Sequence, residues 1–432
     1  MLDSWTVASG DTLNKIALKA YSDPAQWPKI VKANPQLSGR GKAIDGSPLI
    51  FPGDVLIIPP DADSLESAAE EVESETTESV VLDENAPQDV SLKIDGKDFT
   101  GWTGWTLQEN ADGVDGFSFS SSWNESNEKQ REAFKPFNYS KAEASYKGGV
   151  IFKGRTMPAT PSVGPSATEI NVQGQPLCGA LIDSCLPPSL FPAEFSGLNL
   201  KKIAENVCEP FGVKVKVDGD IGADFEKAAC EVGEKAWDFL SKLAKQRGLF
   251  LTNAADGSLL IYKPKIEEVS ASFKQGEAPF VSCVPQFDGQ KIYSHITGWT
   301  KTTADNDSEN YTYEYKPLID QGVLRCYGQT IEDADGGSLE SSVKALAAKM
   351  IGGCIKYSLT VSGIKNSKGE LYKKNMSISV EAPGAGIYRD TKFVVDSVTL
   401  TRDDKDGAKA VFTLVLPESR TGEVPEAFPW EE

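Results

Sequence analysis

CEVGEKAWDFLSKLAKQRGLFLTNAADGSLLIYKPK, residues 230–265, carries one amphipathic helix that runs into one β-hairpin. Ala236, Trp237, Leu240, Leu243 and Ala244 fall at helical spacing on one face, with Lys235, Asp238, Lys242, Lys245 and Gln246 opposite. Gly233 and Glu234 open this helix, the acid lying near its positive end, and Gly248 closes it as a left-handed residue. Leu249 to Leu251 then form a strand, Asp256-Gly257 the turn, Leu259 to Tyr262 the return, and Pro264 ends the unit. No residue here has catalytic spacing, so the stretch is structural.

The segment before it has the same character. Asn199 is placed to cap a helix whose apolar residues are Leu200, Ile203, Ala204 and Val207, and Pro210 stops it. Val213, Val215 and Val217 alternate with Lys214 and Lys216 in a half-buried strand that ends at Asp218-Gly219. Strands dominate the flanks. On one side lie an Asp95-Gly96 hairpin, the alternating GFSFSSSW, and GVIFKG; Trp102 and Trp105 stand at strand spacing and read as core. On the other lie IKYSLTVSGI, MSISVEAP, the long alternation through TKFVVDSVTLTRDD, and GAKAVFTLVLP. One helix, Leu339 to Ile351, interrupts the second region, and Asp403, Asp404 and Asp406 read as turn chemistry rather than a calcium loop.

In combination, LNLKKIAENVCEPFGVKVKV followed by AWDFLSKLAKQRGLFLTNAADGSLLIYKP resembles the baseplate hub proteins of contractile phage tails. These include the Mu-type hub, the late-control D protein group and the hub-like part of type VI secretion spike proteins. The order of the IDG hairpin, FSFS and GVIFKG, and the closing hairpin with its Leu-Pro end, are similar to the same family, so the resemblance spans roughly residues 91–418. It implies a homotrimer in which two tube-type β-barrel domains per chain make a pseudo-sixfold ring. The ring's expected partners are a tail tube or tube-initiator protein, a central spike and a baseplate wedge protein. DNA would pass through the lumen without being specifically bound. The implied location is a virion tail baseplate or phage-like particle assembled in the bacterial cytoplasm.

Residues 5–59 read as a compact β-α-α-β module. Ser9-Gly10-Asp11 is a turn with Asp11 placed to cap a helix whose face is Leu13, Ile16, Ala17 and Ala20. A second helix near Trp27 to Ala33 ends at Asn34-Pro35, and Pro52-Gly53 turns into the strand Val55 to Ile58. WTVASGDTLNKIALKAY, WPKIVKANPQL and IFPGDVLIIP closely resemble the three signature pieces of a LysM domain. That resemblance implies a groove for N-acetylglucosamine-containing glycans between Gly10, Asp11, Thr12 and Leu13 on one wall and Asn34, Pro35, Ile50 and Phe51 on the other. The competing reading is that each of these residues caps or turns the fold.

The expected fold class is therefore mainly β with α+β parts. The domains are a LysM domain (1–60), an acidic linker (61–90), a first barrel (91–175), an α/β domain (176–265), a second barrel (266–418) and a C-terminal tail (419–432). The linker holds eleven acids and no Lys or Arg, so −11 of the net charge of −19 falls there. It cannot bury enough apolar surface to offset chain entropy, and a helix near Leu65 to Val72 would be marginal alone. The overall charge argues against a nucleic-acid-binding surface.

The seven cysteines show no CxxC pair and read as free thiols of a reducing compartment; a secretory signal and an apolar run long enough to span a bilayer are both missing. A wall hydrolase is the enzyme to weigh beside a LysM module. The single histidine, His295, lies in a strand-like run and cannot supply zinc ligands at fixed spacing; no Gly-x-Ser-x-Gly elbow or phosphate-binding Gly loop is present. The expectation is a non-enzyme with neither cofactor nor metal. The alternative is a peptidoglycan-binding, cell-wall-associated protein, a glycosidase included, since a carboxylate pair leaves no sequence signature.

Overall fold

The computed structural model describes residues 3–8, 11–21, 23–37, 40–43, 47–58, 80–81, 90–100, 102–164, 168–300, 309–331, 338–403, 407–425 and 427–431. The chain divides into two compact units, Met1–Glu78 and Ser79–Glu432. Gly10, the suggested helix at 65–72, and Asp404 and Asp406 lie outside the described residues.

In the first unit, β1 (Asp3–Thr6) pairs antiparallel with β2 (Val55–Ile58), and α1 (Leu13–Tyr21) and α2 (Trp27–Ala33) lie between them in sequence. The helical spacing turns Leu13, Ile16, Ala17 and Ile30 into one core with Leu37, Leu56 and Ile58. The cap of α1 is Thr12, whose Oγ1 accepts from Lys15 N at 3.3 Å. Asp11 sits one residue too early and instead closes the preceding turn, accepting from Ala8 N at 3.0 Å and Trp5 Nε1 at 3.1 Å.

The second unit is mainly β. Its first region holds β3 (Val80–Val81), β4 (Val90–Ile94), β5 (Lys97–Thr100), β6 (Trp102–Asn110) and β7 (Gly116–Ser122). It continues with β8 (Lys141–Tyr146), β9 (Gly149–Thr156), β10 (Thr160–Val163) and β11 (Thr168–Pro176). Asp95 and Gly96 both have positive φ, 49° and 81°, as the tight β4–β5 hairpin requires.

The central segment carries β12 (Glu194–Phe195), α3 (Leu200–Cys208), β13 (Val215–Asp218) and β14 (Ala228–Ala229). Next come α4 (Ala236–Gln246), β15 (Phe250–Asn253) and β16 (Leu259–Tyr262). Asn199 caps α3 by accepting from Lys202 N at 3.0 Å, and β13 runs parallel to β16. The buried stripe of α4 is Ala236, Phe239, Leu240, Leu243 and Ala244, while Trp237 is only half-buried. The positions 236, 239, 240, 243 and 244 keep strict helical phase, and residue 237 falls at the margin of that stripe.

The last region holds β17 (Val269–Lys274), β18 (Phe280–Phe287), β19 (His295–Trp299), β20 (Asn310–Glu314), β21 (Cys326–Thr330) and α5 (Leu339–Gly353). It closes with β22 (Ile355–Ser362), β23 (Ser377–Ala382), β24 (Ile387–Asp403) and β25 (Gly407–Val415). A fifteen-stranded sheet runs through both flanking regions in the order β18-β22-β25-β24-β6-β7-β11-β9-β8-β4-β5-β3, with β10 on β11, and β17 on β23, which pairs β24. The join is β24 against β6, in register from Ser397↔Asn110 to Asp403↔Gly104. Among the described residues the hydrogen-bonded path does not close into a ring. In the second region, though, the two ends are neighbours in the chain, β17 preceding β18, and in the first β5, one strand in from the end, precedes β6. One continuous core runs under both regions, including Trp102, Trp105, Phe152, Tyr357, Phe393 and Phe412. The two tryptophans are thus core, each 2% exposed. A separate sheet, β20-β19-β21, packs on α5 through Ile296, Val343 and Ala347.

Candidate functional site

Two places gather the side chains that bear on function. The first is one face of the small unit, where the turn at residues 11–12 and the turn at 51–54 flank Val7 and Ala8. Val7 N donates to Asp54 O and Gly53 N to Val7 O, both at 2.8 Å, while Ala8 N reaches the Asp11 carboxylate. Phe51 is 56% exposed, and the Arg40 guanidinium lies 5.5 Å over its ring. Arg40 also pairs with Asp54, whose carboxyl is held below the ordinary range by that pairing and by the Phe51 amide. Pro35 is exposed, and Ile50, Asp11 and Thr12 are half-buried. Leu13 and Asn34 are buried, at 1% and 0% exposure.

Asn34 spends its side chain on the fold. Its Nδ2 donates to Ile30 O and Ile57 O at 2.7 Å each, and its Oδ1 accepts from Ile57 N at 2.8 Å and Gln36 Nε2 at 2.9 Å. That tie holds the end of α2 to β2, so the residue suggested by the Asn-Pro signature is structural in position. Of the eight suggested residues, Asp11, Thr12, Pro35, Ile50 and Phe51 reach the surface to some degree.

The second place is a buried polar joint in the larger unit, which the sequence did not reveal. Lys374 Nζ donates to both Asp115 oxygens at 2.8 Å, to Thr252 Oγ1 at 2.6 Å, and reaches Asn253 O at 3.4 Å. Lys374 N donates to Glu109 Oε2 at 3.0 Å. Asn253 and Asp115 add a mutual pair: Asp115 N to Asn253 Oδ1 at 2.7 Å, and Asn253 Nδ2 to Asp115 Oδ2 at 3.0 Å. Tyr262 OH donates to Ala111 O at 2.7 Å and accepts from Asn375 Nδ2 at 2.9 Å. Three segments far apart in sequence therefore meet here: the β6–β7 turn, the β15–β16 hairpin and the approach to β23.

The Lys374 and Asp115 side chains are only 14% and 10% exposed. Burial pushes both Glu109 and Asp115 above the ordinary carboxylate range, the Asp115 charge adding to the rise at Glu109 and Lys374 opposing it at both. Nearby, Gly257 (φ +81°) lets the hairpin tip approach the first region, since a Cβ there would stand 2.4 Å from Lys153 O. Such a joint fixes the relative placement of three segments and offers no open face for a substrate.

The chemistry-bearing residues are elsewhere and dispersed. His295 lies on β19 with Nδ1 2.9 Å from Ser294 Oγ, and the strand register sets it opposite exposed Cys326 on β21 and Glu314 on β20. Cys178 and Cys208 are pushed up to about 12 by burial, which keeps them as thiols. Among the described residues no group of three or more His, Cys, Asp or Glu is arranged to hold a metal ion, and no helix is long and apolar enough to cross a membrane.

Residues 178–263, the central α/β segment, match the family described as baseplate hub protein gp44-like, second domain. Over 350 residues the chain is 23% identical to the baseplate hub protein gp44 of Escherichia phage Mu, covering 76% of this chain and 88% of that protein. The fold is similar to that of the 43 kDa tail protein of prophage MuSo2 from Shewanella oneidensis, with a TM-score of 0.63 and 23% identity over 77% of this chain and 99% of that one. It is equally similar to the tail protein from Neisseria meningitidis MC58, with a TM-score of 0.64 and 17% identity over 78% of this chain and 98% of that one.

Proposed function

We propose that the larger unit is the structural hub of a contractile-tail baseplate or a related injection device. In this reading three chains form a ring whose two strand-rich regions per chain present six similar segments to a hexameric tail tube. The ring carries the central spike, contacts a wedge protein, and sits in a virion or phage-like particle assembled in the bacterial cytoplasm. The observation that carries the reading is colinear likeness. The central segment matches the second domain of a hub family, and the chain is alike over 350 residues to the hub protein of phage Mu. The relatives' hub role supports a structural rather than a catalytic task. Acidic side chains still outnumber basic ones outside residues 61–90, which suits a channel that passes DNA without holding it. Complementation tests the reading directly. Tails lacking their own hub should regain tube assembly when supplied with this chain, and failure to do so would reject it.

The small unit we assign to docking on a baseplate partner, with peptidoglycan as the competing ligand. Tethering by the acidic linker raises its local concentration toward about the millimolar range, so a weak contact suffices. Exposed Phe51 provides the test, because it is not in the core. The variant Phe51→Ser should leave assembly unchanged if the glycan face is idle. Loss of binding to purified cell walls together with loss of infectivity, while assembly persists, would establish the glycan reading instead.

A further inference from the structure

The β20-β19-β21 sheet has two unlike faces. Ile296 of β19 is buried against Val343 and Ala347 of α5, and a Cβ on Gly298 would stand 2.5 Å from Val343, so the even positions of β19 face the helix. The odd positions face away, and on that side no residue of the three strands is buried. The register lays these residues out in rows: Thr297 between Thr312 and Gly328, and Trp299 between Asn310 and Thr330. His295 and Glu314 extend the face by a further row. At ordinary strand spacings it covers about 10 Å by 13 Å.

Trp299 is the one large apolar side chain of this face, and its indole reaches across to β21. A Cβ on Gly328 would stand 2.3 Å and 2.5 Å from its Cζ3 and Cη2. Gly328 has no positive φ that calls for glycine, so the room it leaves serves the ring. The contact uses the benzo edge, and Trp299 stays 39% exposed. Polar groups surround it. The Thr297 and Thr312 hydroxyls lie 2.8 Å apart, and His295 engages Ser294 Oγ through Nδ1. The side chains of Asn310, Glu314 and Thr330 are spent on no other group among the described residues.

We propose that this face binds a neutral glycan. Its charge argues against a polyanion: the rows include Glu314 and neither Lys nor Arg, whereas a single-stranded nucleic acid that stacks on an aromatic ring also needs a basic groove. Its polarity argues against a protein, whose docking patch has a contiguous apolar centre rather than one indole among hydroxyls and an amide. A pyranose suits both features. The C–H groups on one side of its ring stack on the negative face of an indole, and its hydroxyls donate and accept at threonine, asparagine and glutamate side chains. The site rests on this sheet alone and is independent of the hub reading.

The test titrates the full chain with chitohexaose, cellohexaose and maltohexaose, read by saturation-transfer NMR and calorimetry, with an oligothymidylate of similar length as the control. At least one hexasaccharide should bind with Kd below about 1 mM. Trp299→Ala should weaken it about fivefold or more, and Gly328→Ala, which displaces the indole, should weaken it as well. Trp299→Tyr keeps a stacking ring and should recover most of the loss. A preference for chitohexaose assigns the cell wall as the source, and a preference for either glucose polymer an outer polysaccharide. Binding weaker than about 1 mM by all three sugars, a smaller loss in Trp299→Ala, or tighter binding of oligothymidylate would each overturn the proposal. So would binding that Phe51→Ser abolishes, since that places the glycan on the small unit. A chain that completes tails yet fails this titration rejects the sheet face alone.

Discussion

Replacing Lys374 by Met removes one positive charge from the joint between the β6–β7 turn, the β15–β16 hairpin and β23. The methionine fills similar volume, so the loss is electrostatic: Asp115 keeps its contacts with Asn253 and the Asn110 amide but loses its bidentate cation. Breaking a buried pair by removing one partner costs about 3–5 kcal/mol. The larger unit spans Ser79–Glu432. At about 2.1 cal/mol/K of unfolding entropy per residue, that cost lowers its melting temperature by about 4–7 °C if the unit melts cooperatively. The deficit has a pH signature. Without Lys374, the folded-state pKa of Asp115 rises further above its unfolded value. The variant therefore loses stability as pH rises from about 4 through that raised pKa, and its deficit is larger at pH 8 than at pH 5. Adding Asp115→Asn should recover most of the loss, since the orphaned charge is then gone. Calorimetry of the wild type, both single variants and the double variant reads the cycle. A drop below about 1 °C, or additive losses in the double variant, would refute a charge clamp at this joint.

Two further outcomes are expected. Glu109→Gln keeps an oxygen to accept from Lys374 N and removes a carboxylate whose raised pKa costs stability as pH climbs through it. The variant should match or exceed wild-type stability at pH 7 and show a flatter stability profile above pH 4, read by denaturant titration at several pH values. Asn34→Ala strands the Ile57 amide and the Ile30 and Ile57 carbonyls inside the small unit, at about 1–3 kcal/mol for each buried group left unpaired. That is enough to unfold a module this small, so two-dimensional NMR should show collapse of its dispersed amide signals rather than a local change at a glycan groove.

Locally encoded features were legible in the sequence. Asn199 as a cap, the Asp95-Gly96 turn and left-handed Gly248 (φ 64°) all depend on neighbours within a few residues; the β24 strand was legible too, but not its faces, since Phe393, Val394 and Val395 are all buried and the register shifts between Val395 and Ser397. The β-α-α-β order of the small unit was legible for the same reason. What stayed hidden depends on distance in sequence. Lys374 meets Asp115 across 259 positions, and in LYKKNMSIS it looks like any solvated turn lysine. Alternation placed strands on either side of the central segment, but no local signal says that β24 pairs with β6 and fuses both regions into one sheet. Asn34-Pro35 reads as a helix stop, and only the tertiary position of β2 turns Asn34 into a buried tie.

The central claim is that this chain makes a hub ring, and its mass in solution tests it most directly. Native mass spectrometry of the purified full chain, followed by negative-stain imaging, should give a particle of three chains of 46.6 kDa each, seen end-on as a ring with sixfold-like modulation. A strictly monomeric particle at high concentration, also monomeric when mixed with tail tubes that lack a hub, would contradict it.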